Sequence, residues 1–315
     1  MIGPMRAAIL RQFGPPEVLA VEQVPEPAPI PTEVKVRVRA AGVNPVDFKT
    51  RAGKGMAGVL GEPPLCIGWD VSGEVVEVGG GVTRFAVGEE VFGMPWFPRE
   101  AGAYAEFVTA PSRHFAPKPH VLSHEEAAAL PLAGLTAWQI VVDTIRVQEG
   151  DDLLIHGAAG GVGHLAVQIA KARGANVIGT AREEQAEWLE GLGADVVIDY
   201  RTQHFGDLVG ELDAVIDFTG KQGEASLAAL RPGAMLVSVP SGVPEELTRR
   251  AAESSRHATG FLVEPDPVGL AGLDALIEAG KLQVHVDRVF ELEQVAEAHR
   301  AAEDHHGGGK LVLRV

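Results

Sequence analysis

The sequence predicts an α/β protein, with a doubly wound, parallel-sheet domain inserted into a mainly β, barrel-like domain. Three features point there. From Asp152 onward, short apolar runs alternate with segments of helix length, as parallel strands joined by crossover helices do. The first third instead shows strands with one apolar and one polar face, separated by Gly and Pro punctuation such as GEPPLCIG. The tail turns β-rich again, so the chain is expected to return to the sheet it left.

In chain order, a regular apolar pattern begins directly after Met5. At Thr32–Ala41 the row TEVKVRVRAA sets Val34, Val36 and Val38 against Lys35, Arg37 and Arg39, a half-buried strand with one wet face. Further strands are expected at VSGEVVEVG from Val71 and YAEFVT from Tyr104. The pattern changes at Ser123, where SHEE offers a capping box, with Ser123 as N-cap and Glu126 three residues on, opening an Ala-rich helix. The domain boundary is placed there: residues 1–122, completed by 263–315, form the mainly β domain, and 123–262 the inserted one. Strands follow at DLLIH from Asp152, ANVIGT from Ala175, DVVIDY from Asp195, DAVIDF from Asp213 and AMLVSVP from Ala234. A last one near TGFLVEP, from Thr259, would make six. The tail reads helix, strand, helix, strand, and Val284–Phe290 and Lys310–Val315 are assigned to the first domain's sheet.

The composition narrows the function. Lys+Arg of 27 against Asp+Glu of 43 leaves a formal charge of -16, which repels a phosphate backbone, so no nucleic-acid partner is expected. Cys66 is the single cysteine, so neither an intramolecular disulfide nor a Cys-rich zinc site can form, as fits a reducing cytoplasm. No apolar stretch approaches the roughly 20 residues of a membrane helix, and MIGPMRAAIL lacks a charged leader before an apolar run; neither membrane span nor signal peptide is expected.

The most informative stretch is LLIHGAAGGVGHLAVQIAKARG, residues 153–174: a buried strand, a glycine loop and an amphipathic helix closed by Gly174. Such a loop, here centred on Ala159, Gly160, Gly161 and Val162, lets backbone N–H groups approach a pyrophosphate at a helix N-terminus. Gly160 and Gly163 take the second and third glycine positions of the dinucleotide fingerprint, while Ala158 occupies the first. About 20 residues beyond Gly160, where an NAD site places an acid against the ribose hydroxyls, stand Thr180, Ala181 and Arg182. A guanidinium there can bind a 2′-phosphate, which favours NADPH; alternatively Arg182 pairs with Glu183 or Glu184 on the helix surface.

With these residues in view, the chain resembles the medium-chain dehydrogenase/reductase superfamily, and within it the zinc-free quinone oxidoreductases. The motifs carrying the likeness are AAGVNPVDFKTRAG from Ala40, GWDVSGEVVEVG from Gly68, GAYAEF from Gly102, LPLAGLTAW from Leu130, HGAAGGVG from His156 and GKLVLRV from Gly309. The NPVD wording is similar to the branch of chloroplast-type quinone oxidoreductases and alkenal/enone reductases. Gly68, Trp69 and Asp70 stand where zinc-dependent relatives carry a His-bearing motif, so no metal is expected. The resemblance implies a Rossmann domain inserted into a GroES-like one, and hydride transfer from NADPH to a quinone or an enal or enone. It also implies a homodimer, for which AMLVSVP, as a sheet edge, would offer a surface. Further cofactor contacts are implied at Thr136, Tyr200, Thr219, Phe261, Val263 and Lys310, although Thr136 could instead bond its own helix and Phe261 could belong to the core. A non-catalytic NADPH-binding protein of the same fold and an enoyl-thioester reductase are the competing readings.

Asn44, Asp47 and Lys49 follow the Val34 strand where the chain turns at Pro45, and are the candidate catalytic residues. Hydride delivered to a quinone or an enone β-carbon leaves a delocalised anion, so the useful protein groups are hydrogen-bond donors at the developing oxyanion. Asn44 or Lys49 can donate, and Asp47 is expected to orient Lys49. Tyr104 and His156 lie at strand ends and are expected to be structural.

Overall fold

The computed structural model describes residues 3–240, 242–304 and 308–315. The first domain is built from β1 (Pro4–Leu10), β2 (Leu19–Pro25), β3 (Glu33–Val43), β4 (Leu65–Cys66), β5 (Val71–Val78), β6 (Glu90–Gly93), β7 (Phe107–Pro111) and β8 (Phe115–Pro117). The inserted sheet is β9 (Asp152–His156), β10 (Asn176–Ala181), β11 (Val196–Asp199), β12 (Leu212–Asp217), β13 (Leu230–Ser238) and β14 (His257–Gly260). The tail adds β15 (Val286–Glu291) and β16 (Lys310–Arg314), which join β3 in a seven-stranded sheet of order β15-β16-β3-β5-β6-β8, with β7 also on β3.

β3 behaves largely as its alternation requires. Val34, Val36 and Val38 are buried against Val71, Val75 and Phe115, while Arg37 and Arg39 are exposed. Lys35 departs from the expected wet face: its Nζ lies 4.7 Å from the centroid of the Phe107 ring and donates to Glu26 at 2.6 Å, so it is covered. The long apolar stem of lysine makes this possible.

The inserted sheet runs β11-β10-β9-β12-β13-β14, all parallel. Renumbered within the domain this is 3-2-1-4-5-6, the doubly wound order whose ligands bind outside the carboxyl ends of the strands where the order reverses. Both faces are covered, because successive residues point to opposite sides. Leu153 and Ile155 enter the core shared with Trp69, Phe92 and Leu135 of the neighbouring layers, and Leu154 enters another with Val215, Leu236 and Leu247.

Three expectations are corrected. The Ala-rich helix is two helices, His124–Ala128 and Pro131–Trp138, because Pro131 cannot continue the first; the Ser123 capping box itself is formed, with Glu126 N–H on Ser123 Oγ at 3.2 Å and Ser123 N–H on Glu126 at 2.8 Å. β14 ends at Gly260, before the apolar Phe261-Leu262-Val263 that suggested it. Side chains there serve the inter-domain surface: Val263 is buried in the shared core and Phe261 packs on it. AMLVSVP is not an edge, since β13 is paired on both sides; the edge strand on that side is β14, the polar HATG, and the other edge is β11.

Candidate active site

A cleft of about 950 Å³ opens at the carboxyl ends of β9 and β12 and extends to the turn after β3. Every residue singled out above as catalytic or cofactor-binding lines it except Asp47: Asn44 and Lys49 at one end, Arg182 and Tyr200 at the other, with Thr136, Thr180, Thr219, Phe261, Val263 and Lys310 between. The glycine loop of Ala159, Gly160, Gly161 and Val162 forms part of the wall.

This loop is shaped by what a side chain would strike. Gly157 has φ +72°, and a Cβ on Gly163 would lie 2.2 Å from the Gly157 carbonyl oxygen. A glycine at 163 therefore lets the helix Gly163–Ala172 start directly against the turn. The departure at Ala158 is matched across the sheet, because a Cβ on Gly179 of β10 would come 2.8 Å from the Ala158 methyl. The extra methyl of one strand end is housed by the bare glycine of the next. Among the described residues, the N–H groups of Gly161 and Val162 find no backbone acceptor, leaving them to a ligand. A pyrophosphate fits this cradle.

At the far end of the cleft, Arg182 follows β10, its N–H on Gln185 Oε1 at 3.3 Å. Glu184, one of the two acids that could pair with it, accepts two hydrogen bonds of 3.0 Å from Arg201 Nη2, and Arg201 also binds Asp199. The end of β11 thus supplies a second guanidinium that the sequence reading, fixed on Tyr200, passed over. Between the two ends, Asp217 braces the turn after β12: its Oδ1 accepts from Thr219 N–H, Thr219 Oγ1 and Gly220 N–H, and its Oδ2 from Gln222 N–H. These donors hold its carboxyl below the usual range although burial opposes them.

His156 and Tyr104 are satisfied locally. His156 contacts Thr180 Oγ1 and Ser226 Oγ, each at 3.1 Å, and burial brings its pKa down to about 4. Tyr104 is fully buried and its hydroxyl donates to Asp47 Oδ2 at 2.9 Å. Thr136 stands on the cleft wall while its Oγ1 donates to Leu132 O at 2.6 Å, so both descriptions of it hold geometrically.

At the reacting end the expected pairing of Asp47 with Lys49 is absent. Residues two apart on the helix Pro45–Arg51 do not share a face. Asp47 points inward, wholly buried, and its Oδ2 accepts from Asn44 N–H at 2.6 Å as well as from Tyr104. Burial raises its pKa to about 7 against those two donors. Lys49 faces the cleft instead and makes no ion pair among the described residues. Asn44 is buried with its amide engaged at both ends: Oδ1 accepts from Lys310 Nζ, and Nδ2 donates to Asp70 Oδ2 at 2.8 Å. An amide has two N–H groups, so one remains for the cleft. Lys310 Nζ also donates to Val43 O at 3.2 Å, and burial pulls its pKa down while Asp70 and Asp47 push it up. Asp70, read from sequence only as part of a missing zinc motif, is thus the acceptor under the site.

Trp69, in the same run, is fully buried, with Nε1 donating to Arg99 O at 2.6 Å and its ring edge-on to Phe97 at 5.4 Å. An indole has no lone pair to ligate a metal.

Two family models match the chain: the alcohol dehydrogenase GroES-like domain over residues 30–120 and the zinc-binding dehydrogenase model over 192–313. Among curated proteins, a 2-haloacrylate reductase of a Burkholderia species is 36% identical over 98% of both chains. A chloroplastic NADPH-dependent alkenal/one oxidoreductase of Arabidopsis thaliana is 33% identical, covering 98% of this chain and 79% of its own. Among solved structures, the quinone oxidoreductase of Coxiella burnetii superposes with a TM-score of 0.92 at 37% identity over 99% of each chain.

Proposed function

The chain belongs to the zinc-free branch of the medium-chain dehydrogenase/reductase superfamily, and from that premise we propose that it reduces a quinone or an α,β-unsaturated carbonyl compound with NADPH. It is an oxidoreductase, and its cofactor is NADPH. What carries the reading is the single cleft that joins a glycine cradle and Arg182 at one end to Asn44 and Lys49 at the other. We take residues 123–262 as the cofactor domain and 1–122 with 263–315 as the substrate domain.

When bound, NADPH supplies a hydride. The glycine loop would hold its pyrophosphate, with Arg182 and Tyr200 at the adenosine end, Thr180 and Thr219 beside the strand ends, and Thr136, Phe261, Val263 and Lys310 towards the reacting end. Phe48, Met56, Phe97 and Leu132 give that end an apolar wall. The remaining N–H of Asn44 and the ammonium of Lys49 are the donors for the oxyanion that develops on the acceptor. Water can protonate the resulting anion, so no buried acid is required.

The test is NADPH oxidation by the purified protein against ortho-quinones, para-quinones, short enals and enones. Binding of NADPH with no turnover on any of them would instead support a non-catalytic cofactor-binding protein. With an active acceptor in hand, Asn44→Ala and Lys49→Met should each lower kcat more than they raise KM. A lost oxyanion donor costs about 2.7 to 4 kcal/mol where water is excluded, and about 1 to 2 kcal/mol is expected in this open cleft, where water can substitute. Both effects should be smaller with a quinone, whose reduced form is already a stabilised anion. Unchanged kcat/KM in both variants, with an enone and a quinone alike, would remove these residues from the site.

We further propose a homodimer in the cytoplasm, with no nucleic-acid partner. Its support is no longer an apolar edge at β13 but the unpaired side of β14, beside the exposed Leu262 and Val268. Light scattering at micromolar concentration should give twice the 33.2 kDa chain mass; a persistent monomer would refute it.

A further inference from the structure

Beneath the reacting end lies a carboxylate that lines no part of the cleft. Asp70 is fully buried just ahead of β5 and meets three other elements. Its Oδ1 accepts the Leu132 N–H at 2.7 Å, in the first turn of the helix Pro131–Trp138 that carries Thr136. Its Oδ2 accepts Asn44 Nδ2 at 2.8 Å, at the start of the helix bearing Lys49. The same oxygen lies 4.0 Å from Lys310 Nζ, at the start of β16. Room for this carboxylate is kept by Gly42, where a Cβ would stand 2.6 Å from Asp70 Oδ2 and 2.5 Å from Ala128 O. The stem of Lys310 in turn passes the glycine loop, since a Cβ on Gly161 would sit 3.0 Å from Lys310 Cδ.

We propose that Asp70 is a positioning residue for hydride transfer, fixing the Asn44 amide and the Lys310 ammonium at the reacting end while anchoring the helix of Thr136. This rests on the reading of the cleft as an NADPH-dependent reductase site. With Nδ2 bound to a carboxylate, which only accepts, and Oδ1 bound to an ammonium, which only donates, the Asn44 amide has one orientation. Neutralising Asp70 removes that constraint, because an amide in its place can pair with either end of Asn44. It also removes the nearest negative charge from Lys310. The other groups around that ammonium are Asp47, whose Oδ2 already takes the Tyr104 hydroxyl and the Asn44 N–H, and His164, which burial keeps neutral. Without Asp70 the balance at Lys310 tips further towards its neutral form.

The experiment is Asp70→Asn, Lys310→Met and the double variant. Asp70→Asn should lower kcat with an enone about tenfold while KM for the acceptor changes less than about threefold, the signature of a group acting on the reacting geometry. The alkaline limb of its kcat profile should move to lower pH. Because Asp70 acts through Lys310 as well as Asn44, the double variant should fall well short of the product of the two single losses. Multiplicative losses, or wild-type kcat and pH profile in Asp70→Asn, would overturn the proposal. Should Asp70→Asn fail to fold, the double variant, which removes both members of the Asp70–Lys310 pair, must lie within a few-fold of Lys310→Met, and a further tenfold loss would defeat the proposal. Titration of the Lys310 13Cε resonance, assigned with Lys310→Met, needs no substrate: its midpoint should drop in Asp70→Asn, and an unmoved midpoint counts against the proposal even if the wild-type protein reduces none of the acceptors tried. Wild-type inactivity on every acceptor would sink the functional reading and with it the role in hydride transfer, whereas a moved midpoint would still show that Asp70 holds the Lys310 charge.

Discussion

Arg182→Ala should weaken NADPH binding by about tenfold to somewhat over a hundredfold and leave NADH nearly untouched. A hydrogen bond to a charged group contributes about 1.5 to 3 kcal/mol, and tenfold in affinity is about 1.4 kcal/mol. The position earns the expectation: Arg182 stands after β10 where the fold puts an acid in NAD sites, and the neighbouring Glu184 is held by Arg201. Arg201, two residues beyond the end of β11, sets the lower bound, because its guanidinium is committed to Asp199 and Glu184. Glu184 therefore has a cation without drawing on Arg182 alone. Tryptophan-to-nicotinamide energy transfer, titrated with each cofactor, measures both constants. Equal losses for NADPH and NADH would show that Arg182 merely supports the loop.

The second large effect is on stability in mild acid. His156, His164 and His299 are buried, and burial brings their pKa values down to about 4, 4 and 3. In the unfolded chain all three return to about 6.5. Between those limits the unfolded state binds more protons, so stability is full above about pH 6.5 and is lost as pH falls. Asp47 works the other way: its raised folded value, about 7, makes the folded state the better proton binder between there and about 4. Asp70, raised by burial as well, opposes the imidazoles alongside Asp47, while His114 and His124, lowered by burial, add to them; the unfolded state is the net proton binder near pH 5, and each net proton is worth about 1.4 kcal/mol per pH unit. Against a typical total of about 5 to 15 kcal/mol this is large. Urea unfolding at intervals from pH 7.5 to 4.5 should show the midpoint falling steadily below pH 6.5. A midpoint that stays level to pH 5 would mean that these rings are not held neutral, and His299, whose Nε2 has no partner among the described residues, would be the first to re-examine.

Much of this protein is determined by local sequence. The parallel sheet was legible because a strand buried on both faces and an amphipathic helix leave different apolar periods, and the fingerprint around Gly160 and Gly163 was legible because a close backbone approach excludes side chains wherever it occurs. The capping box at Ser123 is a contact between residues three apart, so it too can be read from the row. Arg182 needed only the spacing from the loop. What sequence could not supply is direction. Whether Asp47 meets Lys49 or Tyr104 depends on which side of a seven-residue helix faces the cleft, and a helix turns by about 100° per residue, so neighbours in the row diverge in space. Lys35 was assigned to water by the alternation of β3, yet Phe107 of β7 and Glu26, just past β2, cover it. Phe261 and Val263 looked like strand because they are apolar; they are apolar because they pack where the two domains meet. Asp70 is the clearest case: its three partners come from residues 44, 132 and 310, brought together only when β16 returns to β3, so the charge balance under the reacting end exists in the tertiary structure alone.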